Sequence, residues 1–258
     1  MSPRCTAIVP FRPDAAGGRG ANLVAVLRWL GTMPVDVVVV QHGQAPAPDP
    51  SPEDSPRYVQ VASAGPFSKA AACNAGFGVT STPAIALIDA DMLVDSGCFL
   101  GCITRVLGGV DVIRPFGHLV DLDRTTSQLV RDGAAPSQLD LTTSAAGRVG
   151  EVIPICGGVV ILRSDAFERA GGMDETFAGW GGEDDALSTA LVRTGSDCRI
   201  LSAEPGYHLW HPRDPMQRYG HPRYSPNVQR AQWWRDASDV EVARAAEAGR
   251  RRLRTGQG

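Results

Sequence analysis

Three stretches of this chain are apolar at nearly every position: CTAIVPF (5–11), VDVVVVQ (35–41) and the head of AIALIDAD (84–91). A strand with one wet face alternates apolar and polar residues, so strands that fail to alternate must be covered on both sides. YVQVA (58–62), DVIRPF (111–116) and VIPICGGVVIL (152–162) extend the set of strand candidates. Between the first two, ANLVAVLRWLG sets Leu23, Val26, Leu27 and Leu30 on one helical face, with Gly31 as its stop. Buried strands alternating with amphipathic helices predict an α/β fold with a Rossmann-like, mostly parallel central sheet flanked by helices. At 258 residues and 43% hydrophobic content the chain can bury one substantial core, and we expect a single catalytic-sized domain over 1–258.

Composition removes several function classes. A net charge of −3 with no basic stripe gives nucleic acid no electrostatic footprint. The six cysteines have neither CxxC pairs nor zinc-type spacing and read as small core residues of a reduced, cytoplasmic protein. The first residues, MSPRCTAIVPF, lack a charged region followed by a long apolar one, and no 18 apolar residues run together. We therefore expect neither an export signal nor an integral membrane segment. Of the 25 basic residues only Lys69 is a lysine, a bias that reflects a GC-rich genome and singles out that position.

QAPAPDPSPEDSP (44–56) holds five prolines and reads as an exposed excursion from the sheet. Residues 119–150 are polar and read as a long variable loop of the kind that forms lids or binding elements. Residues 239–258 read as a C-terminal helix and tail with a basic cluster, Arg250, Arg251, Arg252 and Arg254.

Three short motifs carry chemistry. IDAD (88–91) places Asp89 and Asp91 at the end of a buried strand, where ligands approach an open α/β sheet. Two residues apart on extended chain, both carboxylates can face one polyanion and its metal; taken alone, the triplet reads more readily as a strand-terminal turn with solvated acids. YHLWHPRD (207–214) offers His208 and His211, and imidazoles beside carboxylates favour Mn, Fe, Co, Ni or Zn over Mg or Ca. An isolated HxxH is as readily a surface pair. In GWGGEDDALSTALVRTG (179–195), Leu187, Ala190 and Leu191 mark a helix whose start carries Glu183, Asp184 and Asp185. A helix N-terminus welcomes carboxylates as caps. Caps alone do not call for the preceding Gly179, Trp180, Gly181 and Gly182, which let backbone approach a ligand and offer an indole to stack on a sugar.

With DAD, GWGGEDD and HLWH in this order, the chain resembles the β-1,4-galactosyltransferase family of glycosyltransferases with the GT-A fold, and more distantly the polypeptide N-acetylgalactosaminyltransferases and chondroitin-type polymerases. AIVPFR (7–12), FSKAAACNAGF (67–77) and ICGGVVILRSDAF (155–167) are similar to further segments of that family, so the likeness runs from about 5 to 214. It implies a nucleotide-sugar-binding half (5–116) and an acceptor-binding and catalytic half (151–214). Pro10, Phe11 and Arg12 would border the nucleotide, and Phe67 and Lys69 would contact its base, ribose or phosphates. Asp89 would approach the ribose side. Asp91, His208 and His211 would hold Mn2+ or another divalent transition ion; His208 stands where animal members have methionine. Trp180 would stack near the sugars, with Gly181 beside it; Glu183 would contact donor or acceptor, Asp184 would be the catalytic base and Asp185 would support the site. Gly157 and Gly158 would leave room for the acceptor. Asp14 stands where the family continues with arginine, and Arg19 is the candidate to replace that contact.

The implied activity is metal-dependent transfer of a hexose or N-acetylhexosamine from a nucleoside diphosphate sugar, expected to be a UDP-sugar, to a hydroxyl of a glycan or small-molecule acceptor. An acid rather than Asn at position 184 leans toward inversion. Two alternatives stay open: a sugar-phosphate nucleotidyltransferase, using GGRG (17–20) as a phosphate loop, and a catalytically silent sugar-binding module.

Overall fold

The computed structural model describes residues 4–14, 18–44, 56–135, 138, 155–201, 203–212 and 224–255. The Pro-rich excursion at 45–55 and most of 136–154 lie outside the described residues.

The buried runs form one seven-stranded sheet in the order β3-β2-β1-β4-β8-β6-β9. β1 (Cys5–Phe11), β2 (Asp36–His42), β3 (Arg57–Val61) and β4 (Ala84–Ile88) are mutually parallel. β8 (Val159–Arg163) runs antiparallel between β4 and β6 (Val112–Arg114), and β9 (Cys198–Ile200) closes the edge parallel to β6. Both faces of the central strands are covered. Ala7, Val9 and Phe11 join one apolar cluster with α1 (Gly18–Leu30) and α3 (Ser96–Leu107). Ile8 joins the other, with α2 (Lys69–Gly78), α5 (Ser164–Ala170), α6 (Glu183–Arg193), α7 (Ser225–Asp236) and α8 (Asp239–Thr255). This two-sided burial is what the unbroken apolar runs demanded.

Chain order reverses at β1, which has β2 on one side and β4 on the other. Such a switch point opens a crevice at the carboxyl ends of the strands. Arg12 and Asp89, the residues that follow β1 and β4, stand at this crevice.

Two expectations need correction. VIPICGGVVIL is not strand throughout: β8 begins only at Val159, because Gly157 (φ 118°) and Gly158 (φ 71°) adopt left-handed backbone that a strand cannot hold. Residues 119–150 are not simply a loop. They include most of β7 (His118–Asp121) and all of α4 (Arg124–Arg131), whose N-terminus is capped by Asp123 accepting from the Thr126 N–H. β7 joins β10 (Pro205–His208) and β5 (Met92–Leu93) in a second sheet of three short strands. Among the described residues, no helix is long and apolar enough to cross a membrane.

Candidate functional site

A cleft of about 750 Å³ lies at the switch point. Its walls include Pro10, Phe11, Arg12, Phe67, Lys69, Asp89, Asp91, Trp180, Glu183, Asp184, His208 and His211. Residues from five separate stretches of chain thus share one space, and three devices bring them there.

The first device is the small sheet. β10 pairs with β7 so that His208 lies opposite Asp121, and with β5 so that His208 lies opposite Met92, next in chain to Asp91. The Leu209 N–H donates to the Asp91 carbonyl at 2.8 Å, which fixes the two motifs main chain to main chain. Asp91 Oδ2 then sits 3.3 Å from His211 Nε2 and 3.7 Å from His208 Nε2. One ligand atom from each of the three residues falls within 4.8 Å of the others. Burial works against the Asp91 charge, but the hydrogen bond and charge of His208, with His211 and Arg19, hold its carboxyl below the ordinary range. Burial likewise opposes charge on His208, yet Asp121 and Asp91 push that imidazole up to about 9. One carboxylate oxygen and two imidazole nitrogens at this spacing suit a first-row transition ion better than Mg or Ca.

The second device ties the α2 start to the Trp180 turn. Gly179 N–H donates to the Phe67 carbonyl (2.7 Å), and Ser68 Oγ donates to the Phe177 carbonyl (3.1 Å) while accepting from the Ala71 N–H as the α2 cap. One turn on, Asn74 Nδ2 donates to the Met173 carbonyl and its Oδ1 accepts from the Met173 N–H, both at 2.9 Å. Held so, the sole lysine reaches into the acids: Lys69 Nζ lies 2.6 Å from Asp89 Oδ1 and 3.0 Å from Asp184. Lys69 is thus a bridge between the carboxylate that follows β4 and one at the start of α6. Burial works against its charge, but Asp184, Asp89 and Glu183 outweigh it and hold the ammonium well above its ordinary range. Asp89 is further tied to the β8 turn, its Oδ2 accepting from the Gly158 N–H at 3.2 Å.

The third device is α7, which sequence reasoning did not single out. Asn227 Nδ2 donates to the carbonyls of Ala178 and Trp180, each at 3.1 Å, and the Trp180 ring meets Tyr224 edge-on at 6.3 Å. Beneath them the buried Asp174 accepts from Arg230 Nε and Trp234 Nε1, fastening α7 to the same turn. Gly182 (φ 95°) begins α6 in left-handed backbone, and a Cβ there would stand 2.8 Å from Phe177. No other residue fits that corner.

Burial, reinforced by Asp184, pushes Glu183 up to about 7. A carboxyl that is easier to protonate folded than unfolded contributes stability that is complete below about 4.5 and is lost as pH rises through about 7. Glu183→Gln should therefore stabilise the protein at pH 8, by at most about 3 kcal/mol at 1.36 kcal/mol per unit, and change little at pH 4. Thermal melts of both proteins at the two pH values check this; equal gains at both would show that Glu183 ionisation is not what costs stability.

Some sequence candidates stand apart from the cleft walls. A Cβ on Gly157 would approach Asp184 Oδ2 at 3.4 Å, and one on Gly158 would meet Met92 and Phe116, so these glycines make room for neighbouring side chains. Gly181 and Asp185 sit at the α6 start, where burial and Asp184 raise the Asp185 carboxyl. GGRG does not form a phosphate loop among the described residues: Gly18, Arg19 and Gly20 are the first turn of α1, and the Arg19 N–H donates to Asp14 Oδ1 at 3.0 Å. Arg19, Asn22 and Tyr224 do line the cleft. Arg19 could be read from the family comparison; Asn22 and Tyr224 carry no local signal.

Residues 138–212 match the sequence profile of a family described as the N-terminal domain of galactosyltransferase. That segment carries β8, Trp180, α6 and both histidines. No curated protein sequence matches the chain. Among solved structures, the fold is similar to a variant of β1,4-galactosyltransferase 7 from Drosophila in complex with manganese, UDP-Gal and xylobiose. The identity is 15%, covering 86% of this chain and 78% of that one, with TM-score 0.50. It is also similar to the mannosyltransferase PcManGT from Pyrobaculum calidifontis, in complex with GDP-Man and Mn2+. Here the identity is 17%, covering 100% of this chain and 76% of that one, with TM-score 0.52. The profile match lies in residues 138–212, and the two structures show a fold shared with GT-A glycosyltransferases.

Proposed function

We propose that the protein is a metal-dependent glycosyltransferase that moves a hexosyl or N-acetylhexosaminyl unit from a UDP-sugar to an acceptor hydroxyl with inversion. One observation carries the reading: a single cleft is lined by the Asp91, His208 and His211 cluster and by Trp180, Glu183 and Asp184, with Lys69 bridging Asp89 and Asp184. The two similar structures support it, each binding a nucleoside diphosphate sugar together with manganese.

In this mechanism Phe11, Arg12 and Phe67 border the nucleotide, and Asp89 takes its ribose side. Asp91, His208 and His211 would hold the divalent ion, which supplies positive charge to offset that of the departing diphosphate. Trp180 presents an apolar face to the sugars. The acceptor oxygen attacks the anomeric carbon, the bond from that carbon to the diphosphate oxygen breaks, and the hydroxyl proton passes to Asp184. Lys69 occupies part of the Asp184 carboxylate, whose two oxygens offer about four lone-pair positions, so acceptor capacity is left for the proton.

The test is thermal melting with UDP or GDP, each with and without Mn2+, since a ligand that binds the native state raises its stability. UDP with Mn2+ should give the largest rise. If pyrophosphate is instead released from a nucleoside triphosphate and a sugar phosphate, the protein is a nucleotidyltransferase and the proposal is wrong.

A further inference from the structure

We infer that Asp121 is a positioning residue of the metal centre, fixing the ring of His208 so that Nε2 is the atom presented to Asp91 and His211. The inference rests on the functional reading above and concerns a residue from the segment that in sequence looked like a variable loop.

An imidazole has two nitrogens, and which one binds a metal is decided by what the other one bonds. His208 Nδ1 lies 2.9 Å from Asp121 Oδ1, while Nε2 faces Asp91 Oδ2. His211 follows the same plan with a weaker partner: its Nδ1 meets the Pro212 carbonyl at 3.0 Å and its Nε2 faces Asp91. In both rings Nδ1 is committed to an oxygen and Nε2 is turned to the shared carboxylate. The partners differ in charge, and an anionic one raises the basicity of the ligating nitrogen as well as fixing the ring.

The placement of Asp121 is built into the backbone. β7 and β10 pair in register, with His208 opposite Asp121, and the Leu122 N–H donates to the His208 carbonyl at 2.9 Å. The chain beyond His208 is secured as well. The Trp210 N–H donates to Ser127 Oγ (2.7 Å), and Arg131 donates to the Trp210 carbonyl (2.7 Å) and to Asn22 Oδ1 (2.9 Å). Ser127 and Asn22 are fully buried. Segment 118–131 therefore clasps 208–210 along its length, and Asp121 is the member that reaches a ligand side chain.

The test is Mn2+ titration of the full chain in the presence of UDP, for wild type, Asp121→Asn and Asp121→Leu, alongside Co2+ absorption spectra and metal-free melting. Loss of such an outer partner costs about 10–100-fold in metal affinity. Asp121→Leu should show that loss with an altered Co2+ spectrum, and Asp121→Asn, which keeps an acceptor without the charge, a smaller one. Asp121→Asn decides alone if the leucine variant does not fold. Variants that bind Mn2+ as tightly as wild type overturn the inference, whatever their melting temperatures. Wild type that binds no Mn2+ with UDP present overturns the functional reading and this inference together, so the two failures are distinct.

Discussion

Asp184→Asn should lower kcat by ~10²–10⁴-fold, the usual cost of losing a general base, while leaving UDP-dependent stabilisation with Mn2+ in place. The side chain is nearly isosteric and α6 still holds the residue, its carbonyl accepting from Ser188 Oγ at 2.7 Å, while the amide oxygen can still accept from Lys69 Nζ, 3.0 Å away. What the amide removes is the capacity to take a proton and the charge that pairs with Lys69. Glu183→Gln makes the informative comparison, because Glu183 is the acid that burial has tuned to about 7 and so is the other group fit to accept a proton near neutrality. A small loss at 183 with a large one at 184 supports the assignment; the reverse order would transfer the role of base to Glu183. Single-turnover rates separate either loss from a change in product release.

Lys69→Met should destabilise the fold by about 2–3 kcal/mol at pH 8, below the ~3–5 kcal/mol typical of orphaning a fully buried charge. The discount follows from exposure: the Lys69 side chain is 10% exposed, whereas Asp89 keeps 31% and Asp184 25% and can recover water. Without the ammonium, Asp89, Asp184 and Glu183 face one another uncompensated. Burial already pushes the Asp89 carboxyl up, against the pull of Lys69 and with the push of Asp184 and Asp91. The penalty should therefore shrink as pH falls and these acids take up protons. Lys69→Arg, retaining the charge, should recover most of the loss. Urea unfolding at pH 5 and pH 8 measures all three; a methionine variant as stable as wild type at pH 8 would mean that the pairs of Lys69 are worth nothing net.

The elements that were legible in the sequence are those that bury both faces or one long stripe. β1 matches CTAIVPF end to end, and α8 fills the span read for it, because each carries enough apolar or periodic residues to declare itself. The second sheet was not legible. Its strands are Met92–Leu93, His118–Asp121 and Pro205–His208, too short and mixed for any period to show. The contact that matters most in it, His208 with Asp121, spans 87 residues and exists only through strand register. α4 could have been suspected from Asp123 ahead of Thr126, a cap signal without the apolar stripe that usually accompanies it. The cleft followed the same division. GWGGEDD announces itself through a residue combination that capping does not explain, whereas Asn227 and Tyr224 act through backbone and ring contacts that no local pattern encodes.

The grip of Asn227 on Trp180 has a consequence in time. During synthesis the seven strands of the main sheet, the last ending at Ile200, are all made before α7 appears. Domains generally fold as units, so the Trp180 turn is fixed only once its partner 47 residues downstream has been made. A chain that ended before Asn227 would leave the Trp180 turn without the two carbonyl contacts that hold it and one face of the sheet without α7.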